Sequence, residues 1–309
     1  MNKTFLATAA AGLLSLSTGA HADAFSGAYN NVSDLVITGT TGIAIGGSVN
    51  SSSATACLPN GNCISTGGAG VIDAPVAQIG APSYVNNSYA TLQGAPYSYA
   101  FADASIDSLQ TQGAPSTQAR NVAEGQLLTP TTASANAGNS SATLLQNTIQ
   151  VGGNGGTVNF RFNAAPYIQT FLSANEVAGA QAEGNISLNL NLIDNAGNIV
   201  FNWAPDGIAG GITGGTEASD AFTLNTSLTA LSGNNGPLIY DPIGCAPESG
   251  GCFNATTNTL AAGIYTLNLS MRETINLQST AAVVPEPEGY AMLLAGLAML
   301  GFIARRKQS

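Results

Sequence analysis

A period of two runs through the second half of this chain, and it commits that half to extended strands. Ile186, Leu188, Leu190 and Leu192 alternate with Ser187, Asn189 and Asn191. That order places each large apolar side chain on one face of a strand and each polar one on the other. Asp194-Asn195-Ala196-Gly197-Asn198 reads as a hairpin turn, with Ile199 to Trp203 as the return strand. Val158, Phe160 and Phe162 make another inward face, with Asn159 and Arg161 outward. Phe222, Leu224 and Leu228 alternate with Thr223, Asn225 and Thr229. Tyr265, Leu267, Leu269 and Met271 do the same, and the parity resumes at Ile275 and Leu277. Glu273 takes an inward-parity position, which predicts a bulge or a strand end beside it.

Composition supports strands over helices. Charged residues are only 8% of the 309, so the Lys, Glu and Leu that build long amphipathic helices are scarce. Glycine pairs and Asn-rich turns break the strands at short intervals, and the resulting prediction is an all-β fold. An antiparallel β-sandwich of the jelly-roll or immunoglobulin-like kind fits a body of about 258 residues, Asp23 to Thr280, as one large domain or two modest ones. The pattern is clearest over 144–278 and weaker before 140. There, strand candidates at Asp34–Thr38 and Ser88–Leu92 flank a Gly/Ser-rich stretch from Thr38 to Gly70. Asp103 to Leu128 is the one region with helical character, in which Ser116 can cap a short helix whose Ala119, Val122 and Ala123 face inward. Thr129 to Asn139 reads as a linker or long loop. Gly152 to Gly156 lacks the Lys-Ser/Thr that a phosphate loop needs and reads as a mobile hairpin loop between strands Gln146–Val151 and Thr157–Asn163. Gly207 to Gly215 is a loop of the same kind. Gly-Ala-Pro tripeptides starting at Gly80, Gly94 and Gly113 are unequally spaced, so they mark turns rather than a repeat.

Both ends of the chain carry addressing signals. Lys3 supplies a positive start, Phe5 to Leu16 an apolar core, and Ala20-His21-Ala22 a small-x-small site. Residues 1–22 therefore read as a signal peptide cut before Asp23 by signal peptidase. At the other end, a stem at 281–288 holds Val284-Pro285-Glu286-Pro287-Glu288. Pro285 and Pro287 lack amide hydrogens and fix φ, which keeps this stretch extended and open to proteolysis. Gly289 to Ala304 follows, sixteen apolar residues, just under the ~17–25 of a comfortable membrane span. Arg305, Arg306 and Lys307, in the terminal stretch 305–309, would hold the cytoplasmic headgroups and leave the body outside.

The Pro-Glu-Pro signature, the single hydrophobic helix and the basic stop together closely resemble the C-terminal sorting tail of PEP-CTERM proteins. The resemblance covers Val284 to Ser309. It implies recognition of Pro285, Glu286, Pro287 and the Arg305-Arg306-Lys307 cluster by a membrane protease-transpeptidase, exosortase. It also implies transient anchoring in the inner membrane, delivery to the cell surface or extracellular matrix, and an association with exopolysaccharide.

Removing both ends narrows the chemistry. His21, the only histidine, leaves with the signal peptide. Of the seven Lys and Arg, only Arg120, Arg161 and Arg272 lie in the body. Of the seventeen acids all but Glu286 and Glu288 do, giving a body net charge of −12. So few cations cannot neutralise a phosphate backbone, which excludes nucleic acid as a partner. Without histidine there is no Ser-His-Asp or Cys-His nucleophile and no His-containing zinc site.

Four cysteines remain, in Cys57-Leu-Pro-Asn-Gly-Asn-Cys63 and Cys245-Ala-Pro-Glu-Ser-Gly-Gly-Cys252. An exported chain favours disulfides, and three connectivities are open. Tight Pro/Gly/Asn loops favour the local pairs Cys57–Cys63 and Cys245–Cys252, each stabilising by roughly 2–2.5 kcal/mol on the chain-entropy model. A four-cysteine zinc site is the alternative, with spacings wider than such sites use. Asp103 with Asp107, and Asp206 with Glu217 and Asp220, offer oxygen ligands suited to calcium, but no EF-hand or nonapeptide spacing is present. We read these acids as solvated and expect no cofactor. Tyr84, Tyr89, Tyr97, Tyr99 and Phe101 form the densest aromatic cluster, read as core rather than as a platform for sugar rings.

Three functions fit. The first is a non-enzymatic exported surface or matrix protein, which the missing nucleophile and base favour. The second is a carbohydrate-binding or adhesive module. The third is a secreted hydrolase working through two carboxylates, although nothing singles out a pair.

Overall fold

The computed structural model describes residues 22–40, 42–59, 61–80, 97–107, 117–129, 134–174, 176, 178–234, 236–242 and 252–280. Seventeen strands lie among them: β1 (Ala22–Gly39), β2 (Ile43–Leu58), β3 (Asn62–Ala69), β4 (Ala77–Ile79), β5 (Tyr99–Asp107), β6 (Thr117–Thr129), β7 (Ser134–Val151), β8 (Val158–Ala164), β9 (Tyr167–Leu172), β10 (Gln181–Asp194), β11 (Ile199–Trp203), β12 (Ile212–Thr213), β13 (Gly215–Asp220), β14 (Thr226–Leu231), β15 (Leu238–Tyr240), β16 (Phe253–Thr257) and β17 (Gly263–Thr280). They form two packed antiparallel sheets, a β-sandwich. The first runs β13-β16-β8-β1-β6-β5-β4, with β9 also on β1 and β15 on β9. The second runs β12-β11-β10-β17-β7-β2-β3, with β14 also on β10.

The centre of the second sheet follows the period-two pattern directly. Along β10, Ala182, Gly184, Ile186, Leu188, Leu190 and Leu192 are buried while the residues alternating with them are partly exposed. β17 is paired with β7 along its whole length, Gly263 to Thr280, and on its other side with β10 from Tyr265 to Gln278. Two inward rows therefore meet the first sheet. Phe160, Phe162, Phe201, Trp203 and Phe253 close this end of the core, with Phe162 stacked on Phe253 at 4.9 Å.

At the other end the core is built from small residues. Ala54 and Ala56 of β2 pack against Ala100, Ala102 and Ala104 of β5. Nearby, the sheets approach so closely that a Cβ on Gly184 would lie 2.6 Å from Ile168 Cγ2. The Ser26 hydroxyl crosses between the sheets to donate to the Glu183 carbonyl at 2.9 Å.

Two strands in each sheet share one neighbour end to end. β8 and β9 both pair with β1, and the ladder continues through Ala165, whose N–H donates to Asn31 O at 2.9 Å. Pro166, with no N–H, divides them. Opposite, β1 has a bulge at Asp34, whose φ of 56° lies in the left-handed region that Asp tolerates. β11 and β14 likewise both pair with β10, and the gap between them falls at Leu188. The Asn225 side chain fills it: Oδ1 accepts from Leu188 N–H at 3.1 Å, while Nδ2 donates to Leu188 O at 3.0 Å and Pro205 O at 2.9 Å. A side-chain amide thus stands in for a missing peptide unit.

Several sequence expectations are corrected. Asp103–Leu128 is not helical where described: it contributes β5 and β6, because Ala119, Asn121 and Ala123 face the core and Val122 and Glu124 the other side. Thr129–Asn139 is not a linker throughout, since β7 begins at Ser134 and pairs with Thr280 of β17. The Gly/Ser-rich stretch 38–70 contains the hairpin β2–β3. Gly152 to Gly156 is not a hairpin loop, because β7 and β8 lie in different sheets and the segment crosses between them. Glu273 causes neither a bulge nor a strand end. β17 keeps register through Glu273↔Ile186 and Glu273↔Ser141, and the residue is buried in the interior. The strand candidate Ser88–Leu92 lies outside the described residues.

Candidate functional site

The two ends of the body meet at one turn. Ser173 follows β9, and its N–H donates to Asp23 O while Asp23 N donates to Ser173 Oγ, both at 2.9 Å. Glu176, three residues on, is 93% buried. Its carboxylate accepts from the Ser279 hydroxyl at Oε1 and from the Thr280 N–H at Oε2, the latter 2.7 Å. The segment Ser173–Glu176 therefore ties the first residues of β1 to the last residues of β17. Ala22 and Asp23, which flank the expected signal cut, open β1, and Ala20 lies outside the described residues. So do Pro285, Glu286, Pro287, Arg305, Arg306 and Lys307. Since β17 runs to Thr280, only residues 281–284 separate the folded body from Pro285. Among the described residues no helix is long and apolar enough to cross a membrane, and Gly289–Ala304 lie outside them.

A second group is acidic. Asp220 Oδ2 accepts from the Asp206 and Gly207 N–H groups, each at 2.8 Å. Glu217 accepts from Trp203 Nε1 at 2.6 Å and from Gly210 N–H at 2.9 Å. These carboxylates hold the loop between β11 and β13 by its backbone. Burial pushes the Asp220 carboxyl up to about 6, opposed by the Gly207 and Asp206 N–H groups and helped by the charges of Glu217 and Asp206. Among the described residues no three His, Cys, Asp or Glu are grouped as a metal site. Asp103 sits on β5, 1% exposed, rather than on a helix.

The aromatic cluster lies on the side of the first sheet away from the second. Tyr99 and Phe101 are each 1% exposed and pack with Val122, while Tyr97 meets Tyr99 edge-on at 6.2 Å. Tyr99 Oη donates to Glu124 Oε1 at 2.8 Å. Tyr29 stacks on Tyr167 at 4.9 Å, and burial, then the Glu124 charge, raises the Tyr29 phenol above its usual value. Tyr99 and Phe101 are packed residues, as the sequence suggested, and Tyr84 and Tyr89 lie outside the described residues.

On the exposed side of the second sheet, side-chain amides line up in a row that the sequence reading did not single out. Gln146 Nε2 donates to Asn268 Oδ1 at 2.8 Å, Asn268 Nδ2 to Asn191 Oδ1 at 3.1 Å, Asn191 Nδ2 to Asn189 Oδ1 at 3.0 Å, and Asn189 Nδ2 to Asn202 Oδ1 at 3.0 Å. The row crosses β7, β17, β10 and β11. The available signal was the Asn and Gln at outward parity on strands whose inward rows are aliphatic.

Cys57 and Cys63 are directly opposite in the β2–β3 hairpin and form a disulfide. Cys252 is also disulfide-bonded, and Cys245 lies outside the described residues.

With a β-sandwich whose last strand leads straight into the tail, the class is that of an exported body on a sorting signal. Residues 283–307 match the family model described as the PEP-CTERM protein-sorting motif. The motif implies an exported protein, sorted to the cell surface and processed by an exosortase. No curated protein and no solved structure matches the chain.

Proposed function

We propose that this is a non-enzymatic protein of the cell surface or extracellular matrix, released from its tail by an exosortase and associated with exopolysaccharide or biofilm. The observation that carries it is the clasp at Ser173–Glu176. Signal and tail leave the body at one end, so a precursor held at both ends by the same membrane needs no rearrangement of the sandwich. The short link of residues 281–284 keeps that end within about 18 Å of Pro285. A structural role is further supported by how the acids are used. Asp194, Asp220, Glu176 and Glu217 each accept backbone N–H groups, a turn- and strand-fixing task.

Intact mass of the protein in membrane and medium fractions tests the reading. The expected species begins at Asp23, ends near Pro285 and is four hydrogens light for two disulfides. A membrane species ending at Ser309 and nothing else would overturn it. So would turnover of polysaccharide by the purified protein that disappears when one Asp or Glu is changed to its amide while processing stays normal.

A further inference from the structure

The row of amides on the second sheet has the chemistry of a recognition surface. An Asn side chain offers two N–H donors and an oxygen with two lone pairs. Asn268, Asn191 and Asn189 each use one donor and one lone pair within the row. Each keeps a second donor and a second lone pair for an external partner. Because neighbours hold the side chains in place, a ligand need not order them, and that removes part of the usual entropic cost of binding.

The surroundings define the partner. Ser187, Ser270, Thr148 and Thr266 extend the face in the same uncharged style, and the charged residues at outward positions of β10 and β17 are Glu183 and Arg272. On a body of net charge −12, a face this neutral neither attracts cations nor holds a polyanion. A protein partner would require an apolar centre, whereas amides occupy the centre here. Exposed apolar side chains border the row rather than occupy it. Val49, 59% exposed, is opposite Gln146 in register. Ile199, 61% exposed, pairs with Ile193 two positions along β10 from Asn191, and Ile264, 46% exposed, lies four positions along β17 from Asn268. Hydroxyl groups, each a donor and an acceptor at once, match the free donor and lone pair of every amide, and a sugar's C–H face can lie on Val49. The row spans three strand spacings, about 14 Å, room for a few sugar units.

We propose that this face of the second sheet docks an uncharged polysaccharide, with Gln146, Asn268, Asn191, Asn189 and Asn202 as its binding line. The proposal rests on the reading of the protein as a surface component and names that component's partner.

The test is native affinity electrophoresis of the full chain in nonionic detergent. Gels contain hydroxyethylcellulose, dextran or galactomannan, with alginate as the anionic comparison. The expected result is retardation by at least one neutral polymer and none by alginate. Asn191→Asp, near-isosteric but charged, and Gln146→Glu, at the end of the row, should each weaken retardation about tenfold or more. Thr229→Asp, on β14 and off the row, should leave it unchanged. Mobility unaffected by all three neutral polymers overturns the proposal, as does retardation that survives in a folded Asn191→Asp or Gln146→Glu protein. Concentration-dependent dimerisation lost in those variants, without retardation, would assign the face to a second copy and also overturn it. Processing of the tail in cells is expected to be normal in all variants, so a failure here leaves the sorting reading standing.

Discussion

Asn225 closes a gap that the backbone leaves open, and its removal should be measurable. The side chain makes three hydrogen bonds, one accepted from Leu188 N–H and two donated to Leu188 O and Pro205 O. Each contributes about 0.5–1.5 kcal/mol net. Leu188 itself is fully buried, but Asn225 is exposed, so water can replace part of what truncation removes. Asn225→Ala is therefore expected to cost about 1.5–2 kcal/mol, near the low end of the sum. Asn225→Asp separates geometry from charge. It keeps the acceptor for Leu188 N–H but turns a carboxylate oxygen toward two carbonyls. Its folded-state pKa should lie above the unfolded value, so the penalty is absent below the unfolded pKa, grows through the window between the two, and is complete above the folded pKa. Urea unfolding of the full chain in detergent, followed by circular dichroism at pH 4 and pH 7, measures both effects. Subtracting Asn225→Ala at each pH cancels the carboxylates common to both proteins. If Asn225→Ala melts within about 0.5 kcal/mol of the parent, or Asn225→Asp is as stable as the parent at pH 7, the side-chain amide does not complete the ladder.

Carbon-detected NMR should find the Asp220 carboxyl titrating near 6, above an unfolded value of 3.8. The folded state then holds this proton more tightly, so the group contributes stability below the unfolded pKa that is lost as pH rises through 6, a trend that Asp220→Asn should abolish. Gly184→Ala forces a Cβ to 2.6 Å from Ile168 Cγ2 and 3.0 Å from Ser26 Oγ, and thermal melts should show a loss of about 1–3 kcal/mol. Wild-type stability in that variant would mean the sheets separate freely there. Asn30 is 1% exposed, and among the described residues neither of its amide atoms has a hydrogen-bond partner. Asn30→Leu is expected to raise stability by about 1–2 kcal/mol in urea titrations, and a fall instead would show that the amide is satisfied in solution.

The legible parts of the fold share one property, a large difference in size and polarity between the two faces of a strand. β10, β11 and β17 have it, with Leu, Ile and Trp inward against Asn, Ser and Thr outward. β5 and β6 do not. Their core-facing residues are mostly alanine, Asn121 points inward and donates to Met271 O at 3.2 Å, and Glu124 is buried against Tyr99. Ala119, Val122 and Ala123 happen to fall at helical spacing, so a short-range pattern imitates a helix that long-range pairing with β1 forbids. The start of β7 is set the same way, by the length of β17 rather than by its own Thr, Ser and Ala. Two strands adjacent in sequence across Gly152–Gly156 look like a hairpin because no local signal reports which sheet a strand will join. At the candidate sites, the tail was legible because its recognition is local. The clasp at Glu176 was not, since its partners Ser279 and Thr280 are more than a hundred residues away. The row of amides needed the register of four strands before its members became neighbours.

Scarcity of cations explains much of how this body is held together. With three arginines against fifteen acids, few carboxylates can be balanced by ion pairs, and the backbone supplies their partners instead. Asp194 accepts from Ala196 and Asn198 in the β10–β11 turn, and the Asn198 side chain and N–H groups hold its pKa below the usual range. Its contribution is present above the unfolded pKa and lost as pH falls through the folded one. Asp220 runs the other way, because burial outweighs the N–H groups that face it. The two loops thus respond with opposite signs in separate pH windows, Asp194 losing its contribution below the ordinary carboxylate range and Asp220 losing its own as pH rises toward 6. The amide row is different in kind: Asn and Gln have no proton to lose, so its geometry is unchanged across the range in which the loops titrate. A surface meant to hold an uncharged polymer outside the cell, where pH is not controlled, is better built from such groups than from carboxylates.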